Sequence, residues 1–444
     1  MSPGRTATFV TTAAALAWLL LMPASSQANF VTAQPNGKVL VTVARGNEAV
    51  IARLDRDGKL DRDFGQRGFA SPTDRRMGGI SGLVVGPSGK IDVAGRFLGI
   101  PRPREFVMQL RKNGTLDGSF GTNGVAVPLP TTLEMGGLAM TPDGHLLVGA
   151  ASGTPQCFGF PTSDPCRDFQ LVARMNPNGQ LDPSFGEDGV TEIPVYSTYV
   201  DLALAPDGRI TTGTLAFPPS MQADGLPVSY VSRLLADGSL DQTFGAGTGY
   251  VEVRTPVSRV ELSGELTYAG GSVDGLFGAA VLGSDGSIDQ AFGSDGAFSD
   301  RIGQVAGSSG DLLREANGDL LIAGPVASDC RPRHPVRPDQ SRCRLSATVV
   351  RVSASGDVDT DFGDDGVAKI AMSKSRKVLD GGAVELLDSG DGLRMTMPIF
   401  NGPRQDVLRP DSPSAFAVAA LRNNGSLDHR YGDRGVSLIP NEVR

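Results

Sequence analysis

A twelve-residue pattern that recurs seven times is the feature that most limits how this chain can fold. It reads DGKLDRDFGQRG at 57–68, NGTLDGSFGTNG at 113–124, NGQLDPSFGEDG at 178–189 and, one residue longer, DGSLDQTFGAGTG at 237–249. It continues as DGSIDQAFGSDG at 285–296, SGDVDTDFGDDG at 355–366 and NGSLDHRYGDRG at 424–435. Upstream of each copy a glycine turn separates two apolar runs, as in QPNGKVLVTVA from Gln34 and EANGDLLIAG from Glu315. A third apolar run leads into the copy, as in AVIARLDRDG from Ala49. Each unit therefore reads strand, tight turn, strand, variable loop, strand, tight turn, strand. The Asp-Gly, Asn-Gly and Ser-Gly pairs accept the positive φ that hairpin turns require. Four antiparallel strands per unit make a propeller blade, so the chain is expected to be all-β, a seven-bladed β-propeller.

The turn glycines Gly58, Gly114, Gly179, Gly238, Gly286, Gly356 and Gly425 are unevenly spaced. Stacked solenoids keep a tighter period, so the unevenness points to loops inserted into a fixed frame. With 58 glycines among 444 residues, many short strands are more compatible than long helices, in which each glycine costs about 1 kcal/mol against alanine.

The repeated positions carry mechanical expectations. Leu60, Leu116, Leu181, Leu240, Ile288, Val358 and Leu427 are expected to face the core. Phe64, Phe120, Phe185, Phe244, Phe292, Phe362 and Tyr431 are expected to wedge between neighbouring blades, where an aromatic buries roughly 150–250 Å². The glycines after the aromatic suit a backbone angle or a close approach that a side chain would forbid. Asp61, Asp117, Asp182, Asp241, Asp289, Asp359 and Asp428 read as local acceptors for backbone N–H groups. Calcium binding is the alternative for clusters such as Asp359, Asp361, Asp364 and Asp365, which lack EF-hand spacing.

The Leu-Asp-x-x-Phe-Gly-x-x-Gly core, preceded by a turn and an Ala-Arg-like strand, resembles the delta-60 repeat. The resemblance covers nearly all of the chain after its first residues. It departs in the extra residue before Gly249 and in Tyr431. It implies a propeller-like fold in an exported bacterial protein. It implies no activity, cofactor or catalytic residue, since the family carries none that is agreed.

Arg5, the uncharged stretch from Thr6 to Met22, and Ser26-Gln27-Ala28 have the layout of a secretory signal. Residues 1–28 are thus expected to be removed and 29–444 to form one propeller domain, secreted or periplasmic. An uncleaved anchor is the alternative, although the stretch is short against the ~20 residues of a span. No membrane span is expected after cleavage. GVSLIP at 435–440 follows the last motif without a further unit, and the first unit begins near Phe30 without such a strand before it. The ring is therefore expected to be closed by N- and C-terminal strands, the last pairing with the first blade. A formal charge of −8 and the lack of a basic stripe disfavour a nucleic-acid partner. Cys157 with Cys166 and Cys330 with Cys343 read as two local disulfides; a metal site is the alternative, with only His334 nearby. No cofactor is expected.

Variation must collect in the connections between second and third strands, long at 97–105, 152–168, 216–229, 326–345 and 399–413. These hold Arg102, Arg104, Arg167, Arg331, Arg333, His334, Arg337, Arg342, Arg344, Arg404 and Arg409, which suggests a positive loop face for an anionic glycan or cell-surface component. Solvated loop arginines are the plainer reading. No nucleophile elbow or histidine arrangement marks an enzyme. The alternative is a carbohydrate-active hydrolase or lyase using channel acids, for which Glu134, Asp201, Glu261 and Asp380 are candidates near the starts of innermost strands.

Overall fold

The structure, a computed structural model, describes residues 31–440 apart from 46–47, 71–76, 98–103, 130–131, 153–168, 198, 217–227, 274, 304–309, 332–341, 373–376, 379–382, 390–391 and 400–414. The signal-like segment at 1–28 lies outside the described residues. So does the pair Cys157 and Cys166.

Seven antiparallel four-stranded sheets follow one another along the chain, and the sixth carries an extra short strand, Lys377–Val378. The first strands of the blades are Val31–Ala33, Met77–Val85, Thr132–Met140, Tyr199–Leu204, Arg259–Ser263, Asp311–Arg314 and Glu385–Asp388. Each packs against the first strands of the blades before and after it, and the last returns to the first. That closed circuit makes them the innermost strands of a ring. No helix among the described residues is long and apolar enough to cross a membrane.

The core is divided into seven clusters, each shared by two adjacent blades. One joins Leu40, Ile51 and Phe64 of blade one to Leu83, Val93 and Phe106 of blade two. Another joins Val41, Ala52 and Leu54 of blade one to Val418, Ala420 and Tyr431 of blade seven. The motif aromatics are the wedges: Phe64, Phe185 and Phe244 are 0 % exposed and Tyr431 only 4 %. The motif leucines are half-buried and pack at the edges of these clusters.

The motif also ties one blade to the next through the backbone. The N–H after each aromatic donates to a carbonyl in the second turn of the following blade: Gly65 to Asn113 (2.7 Å), Gly186 to Asp237 (2.8 Å), Gly293 to Ser355 (2.8 Å), and Gly432 back to Asp57 (2.9 Å). The glycine of that turn lies on the preceding aromatic. A Cβ on Gly238 would stand 2.9 Å from the Phe185 ring, and one on Gly58 2.7 Å from the Tyr431 ring. Both glycines also have positive φ, so sterics and backbone conformation demand the same residue.

The last two motif positions form a second tight hairpin. Arg67, Asn123, Asp188, Asp295, Asp365 and Arg434 have φ between 51° and 55°, each followed by a glycine at positive φ. Reciprocal bonds close the turn, as between Gln66 and Phe69, and two successive positive φ values are the mark of a type I′ turn. This hairpin launches the outermost strand of the same blade at Phe69–Ala70, Val125–Ala126, Val190–Ile193, Ala297–Arg301, Val367–Ala371 and Val436–Pro440; in blade four a 3-10 turn, Gly245–Gly247, precedes Tyr250–Val253 instead.

That finding corrects the expected closure. Val436–Pro440 pairs with Ala415–Leu421 of its own blade rather than with blade one. The type I′ turn reverses the chain on the third strand, so the strand after every motif completes the blade it leaves. The ring closes instead through side chains and turns, with Ser437 Oγ donating to the Gly58 carbonyl (2.5 Å) and the Val31 N–H to Glu385 Oε2 (3.2 Å).

Candidate functional site

Two regions were expected to carry function: the loop face and the channel. The second-to-third connections and the starts of the innermost strands lie at the same end of the ring, opposite the tight turns, so the two regions adjoin.

On the loop face, Arg102, Arg167, Arg333, His334 and Arg337 lie outside the described residues, as do Arg404 and Arg409. Arg104 begins the strand Arg104–Leu110. In blade six the described ends of the stretch read as loop from Val326 to Leu345 are strand. Leu320–Arg331 and Arg342–Val352 form a long hairpin, with Arg331 directly opposite Arg342. The register slips between Ser328 and Arg331, where Asp329 takes a φ of 48°. The disulfide Cys330–Cys343 spans this irregular step. Among the described arginines near the connections, Arg344 pairs with Asp329 (3.3 Å) and Arg96 with Glu105 (2.6 Å).

At the channel the structure brings together Asp201 and Glu261, two of the four candidate acids, and adds Arg259, Asp311 and Glu385. Glu134 sits on the innermost strand of blade three, and Asp380 lies outside the described residues. Asp201 is 0 % exposed and Asp311 4 %. They flank Arg259, whose Nε lies 3.6 Å from Asp311 Oδ1 and 4.0 Å from Asp201 Oδ2. Burial would lower the basicity of that guanidinium; Asp311, Asp201, Glu261 and Glu385 outweigh it and hold the proton more firmly than usual.

An innermost strand has one hydrogen-bonding edge with no strand beside it, and its amides need other acceptors. The acids supply them across the blade boundaries. Val260 N–H donates to Asp201 Oδ2 (2.8 Å), Arg314 N–H to Glu261 Oε2 (2.9 Å) and Leu386 N–H to Asp311 Oδ2 (2.8 Å). Burial pushes Asp201 up to about 6 and Glu261 up to about 7 despite Arg259 and these amides, and it raises Asp311 as well. Asp201 Oδ1 is buried without a hydrogen bond. Chemically, the arrangement can hold or release protons near neutrality.

The sequence reading missed Asp311 and Glu385, although a signal exists. Asp201, Asp311 and Glu385 each stand seven residues before their first-turn glycines Gly208, Gly318 and Gly392, whereas blades two and three place Gly82 and Gly137 there. Blade five breaks the alignment because its first turn is shorter, Ser263 pairing directly with Leu266.

The motif aspartates do cap backbone amides. Asp182 Oδ1 accepts the Ser184 N–H (3.0 Å) and Asp241 Oδ1 the Thr243 N–H (2.9 Å). A shallow depression of about 700 Å³ lies elsewhere, where the blade-three motif meets the second turn of blade four, and includes Ser184, Glu187, Asp188, Asp237 and Ser239. Its acidic lining does not suit an anion.

A family model described as a domain of unknown function (DUF5122) beta-propeller matches residues 34–64, 86–120 and 205–244, within blades one, two and four. This supports a propeller-repeat family. A search of curated proteins returns no match. Among solved structures, prolyl oligopeptidase B from Galerina marginata is similar at 10 % identity and a TM-score of 0.41, covering 94 % of this chain and 51 % of that one. This chain thus spans about half the length of that enzyme. A subtype N11 neuraminidase-like protein of A/flat-faced bat/Peru is similar at 10 % identity and a TM-score of 0.37, covering 94 % and 96 %. The alpha-L-arabinanase of Penicillium chrysogenum, complexed with arabinobiose, is similar at 11 % identity and a TM-score of 0.35, covering 95 % and 94 %. These weak likenesses transfer no residue role to this chain.

Proposed function

We propose that this chain is an exported delta-60-type propeller that serves as a rigid binding scaffold and takes an anionic glycan or cell-surface component on its loop face. In this reading residues 1–28 are removed on export, and 29–444 are the working protein. The observation that carries it is the blade-six hairpin. Like charges directly opposite on paired strands are destabilising, yet the backbone register pairs Arg331 with Arg342 beside a disulfide. An anion set between the two strands would offset that repulsion, and the covalent tie reduces the entropy lost on binding. Arg102, Arg104, Arg167, Arg333, His334 and Arg337 would extend the same positive surface.

The test is a glycan array probed with residues 29–444 and with a variant carrying Arg331→Glu and Arg342→Glu. Sulfated or uronate-bearing glycans should be retained by the parent, weakened by salt, and lost from the variant by about tenfold or more, the ratio that 1.4 kcal/mol of lost interaction produces. Equal retention by both proteins, or retention of neutral glycans only, rejects the reading.

A second reading, a channel-centred hydrolase or lyase, draws support from the near-neutral carboxyls of Asp201 and Glu261, since a general acid works best with a pKa near the operating pH. Against it, both carboxylates already accept backbone amides and Asp201 is sealed from solvent. Turnover of a polysaccharide by the parent, abolished in Glu261→Gln, would favour it over binding alone.

A further inference from the structure

Four carboxyls link the innermost strands in series from blade four to blade one. Asp201 takes an amide of blade five, Glu261 one of blade six, Asp311 one of blade seven, and Glu385 the Val31 amide of blade one. Each contact crosses one blade boundary at the channel wall. Blades one to three offer no matching described carboxyl; their innermost strands carry Gly79, Gly82, Gly136 and Gly137, and Glu134 is their one acidic residue.

Among the described residues the charges in this arc do not balance. Arg259 faces Asp201, Glu261, Asp311 and Glu385 together, and Tyr199 faces Asp201, Asp311 and Glu385 from the blade-four side. The other nearby guanidinium, that of Arg314, packs over the Tyr268 ring at 5.1 Å. Carboxyls therefore outnumber the cation they surround in a water-poor place, where like-charge repulsion is weakly screened. A proton on one carboxyl relieves that repulsion, and the carboxyl's second oxygen still accepts its amide.

We propose that the channel wall is a proton-operated clasp: mild acid tightens the arc from blade four to blade one, and neutral or alkaline medium loosens it. The raised carboxyls of Asp201 and Glu261 support this. The sign follows from linkage. A carboxyl whose folded value lies above its unfolded value binds protons more strongly when folded. Its charged form weighs against the fold at pH above about 7; that penalty fades as pH falls through about 7 and 6 and is gone below the unfolded values near 4.

The test uses the parent protein, Glu261→Gln and Asp201→Asn, with thermal midpoints at about pH 5 and about pH 7.5. The parent midpoint should be higher at the lower pH by about 2–4 °C. Glu261→Gln, which mimics the protonated acid, should raise the midpoint at the higher pH and flatten the dependence. Should the variants not fold, hydrogen exchange of the parent decides. After correction for intrinsic rates, the Val260, Arg314 and Leu386 amides should be better protected at the lower pH, while Gly65 and Gly186, in the motif clasps, should not change. A parent that is less stable or equally stable at the lower pH overturns the proposal, as does a pH dependence that both variants retain, or exchange that changes equally at all five amides. None of these outcomes depends on whether an anionic glycan binds the loop face.

Discussion

Asp201 and Asp241 belong to the same blade and titrate in opposite directions. Asp241 lies in the motif, where burial works against its charge. The Thr243 hydroxyl and amide, with Arg233 at 2.7 Å, nevertheless hold its carboxyl below the usual range. Asp201 lies on the channel wall, where burial dominates and its carboxyl is pushed up to about 6. Both are almost fully buried. The difference is supply of donors: the motif meets each carboxylate with an adjacent amide, in three blades a hydroxyl, and in six blades an arginine, whereas among the described residues the channel sets several carboxyls around one guanidinium. The two regions therefore divide the pH axis. Asp61, Asp117, Asp182, Asp241 and Asp428, all held below the usual range, support the fold above their unfolded values and lose that support as pH falls below about 4; Asp201 and Glu261 weigh against it as pH rises through about 6 and about 7. Stability should peak at mildly acidic pH.

The comparison breaks most severely if the motif aromatics are not the main anchors of the ring. Phe185→Ala should cost about 3–5 kcal/mol, visible as a lower urea midpoint; a loss below about 1 kcal/mol would show that the seams are held elsewhere. Next comes the cation beside Asp241. Arg233 bonds that carboxylate and stacks on Phe244 at 4.5 Å, so Arg233→Ala leaves a buried charge without its partner. A loss of about 2–4 kcal/mol at neutral pH is expected, and it should shrink as pH falls below the usual carboxylate range, where protonation removes the unpaired charge.

A smaller effect of opposite sign sharpens the contrast. Asp92 is 1 % exposed, and burial raises it to about 6 although Gln109 donates to it at 2.9 Å. Asp92→Asn should stabilise the protein by about 1–2 kcal/mol at pH 8 and leave it unchanged at pH 4; a uniform loss at both would assign Asp92 to packing instead. The smallest change should come from Arg430→Ala. Arg430 pairs with Asp428 at 2.8 Å but is 85 % exposed, and exposed pairs contribute little. Its thermal midpoint should match the parent's, and a clear drop would mean that Tyr431 and the last seam depend on this pair.

Much of this architecture was legible because the repeat aligns chemically equivalent residues in register. Seven aromatics at one motif position announced seven seams, and the glycines announced backbone angles closed to other residues. The strand after the last motif was expected to join blade one because Arg434-Gly435, like Arg67-Gly68, does not look like an Asn-Gly turn. Asn123-Gly124 and Asp188-Gly189, at the same position, do. Of the channel acids, Asp201 and Glu261 were anticipated from their position near strand starts. Asp311 and Glu385 were passed over because the offset to the turn glycine, rather than local composition, identifies them.

What the sequence determined alone is the unit and its number, since hairpin chemistry and apolar alternation act within a few dozen residues and recur in each copy. What only the tertiary structure decided is the meeting of unlike residues from different copies: Asp201 with Arg259 and Val260, Glu385 with Val31, Tyr431 with Gly58. Those contacts depend on the curvature of the whole ring, which sets distances between residues far apart in the chain, and the pKa of a carboxyl follows from the neighbours that the ring brings to it.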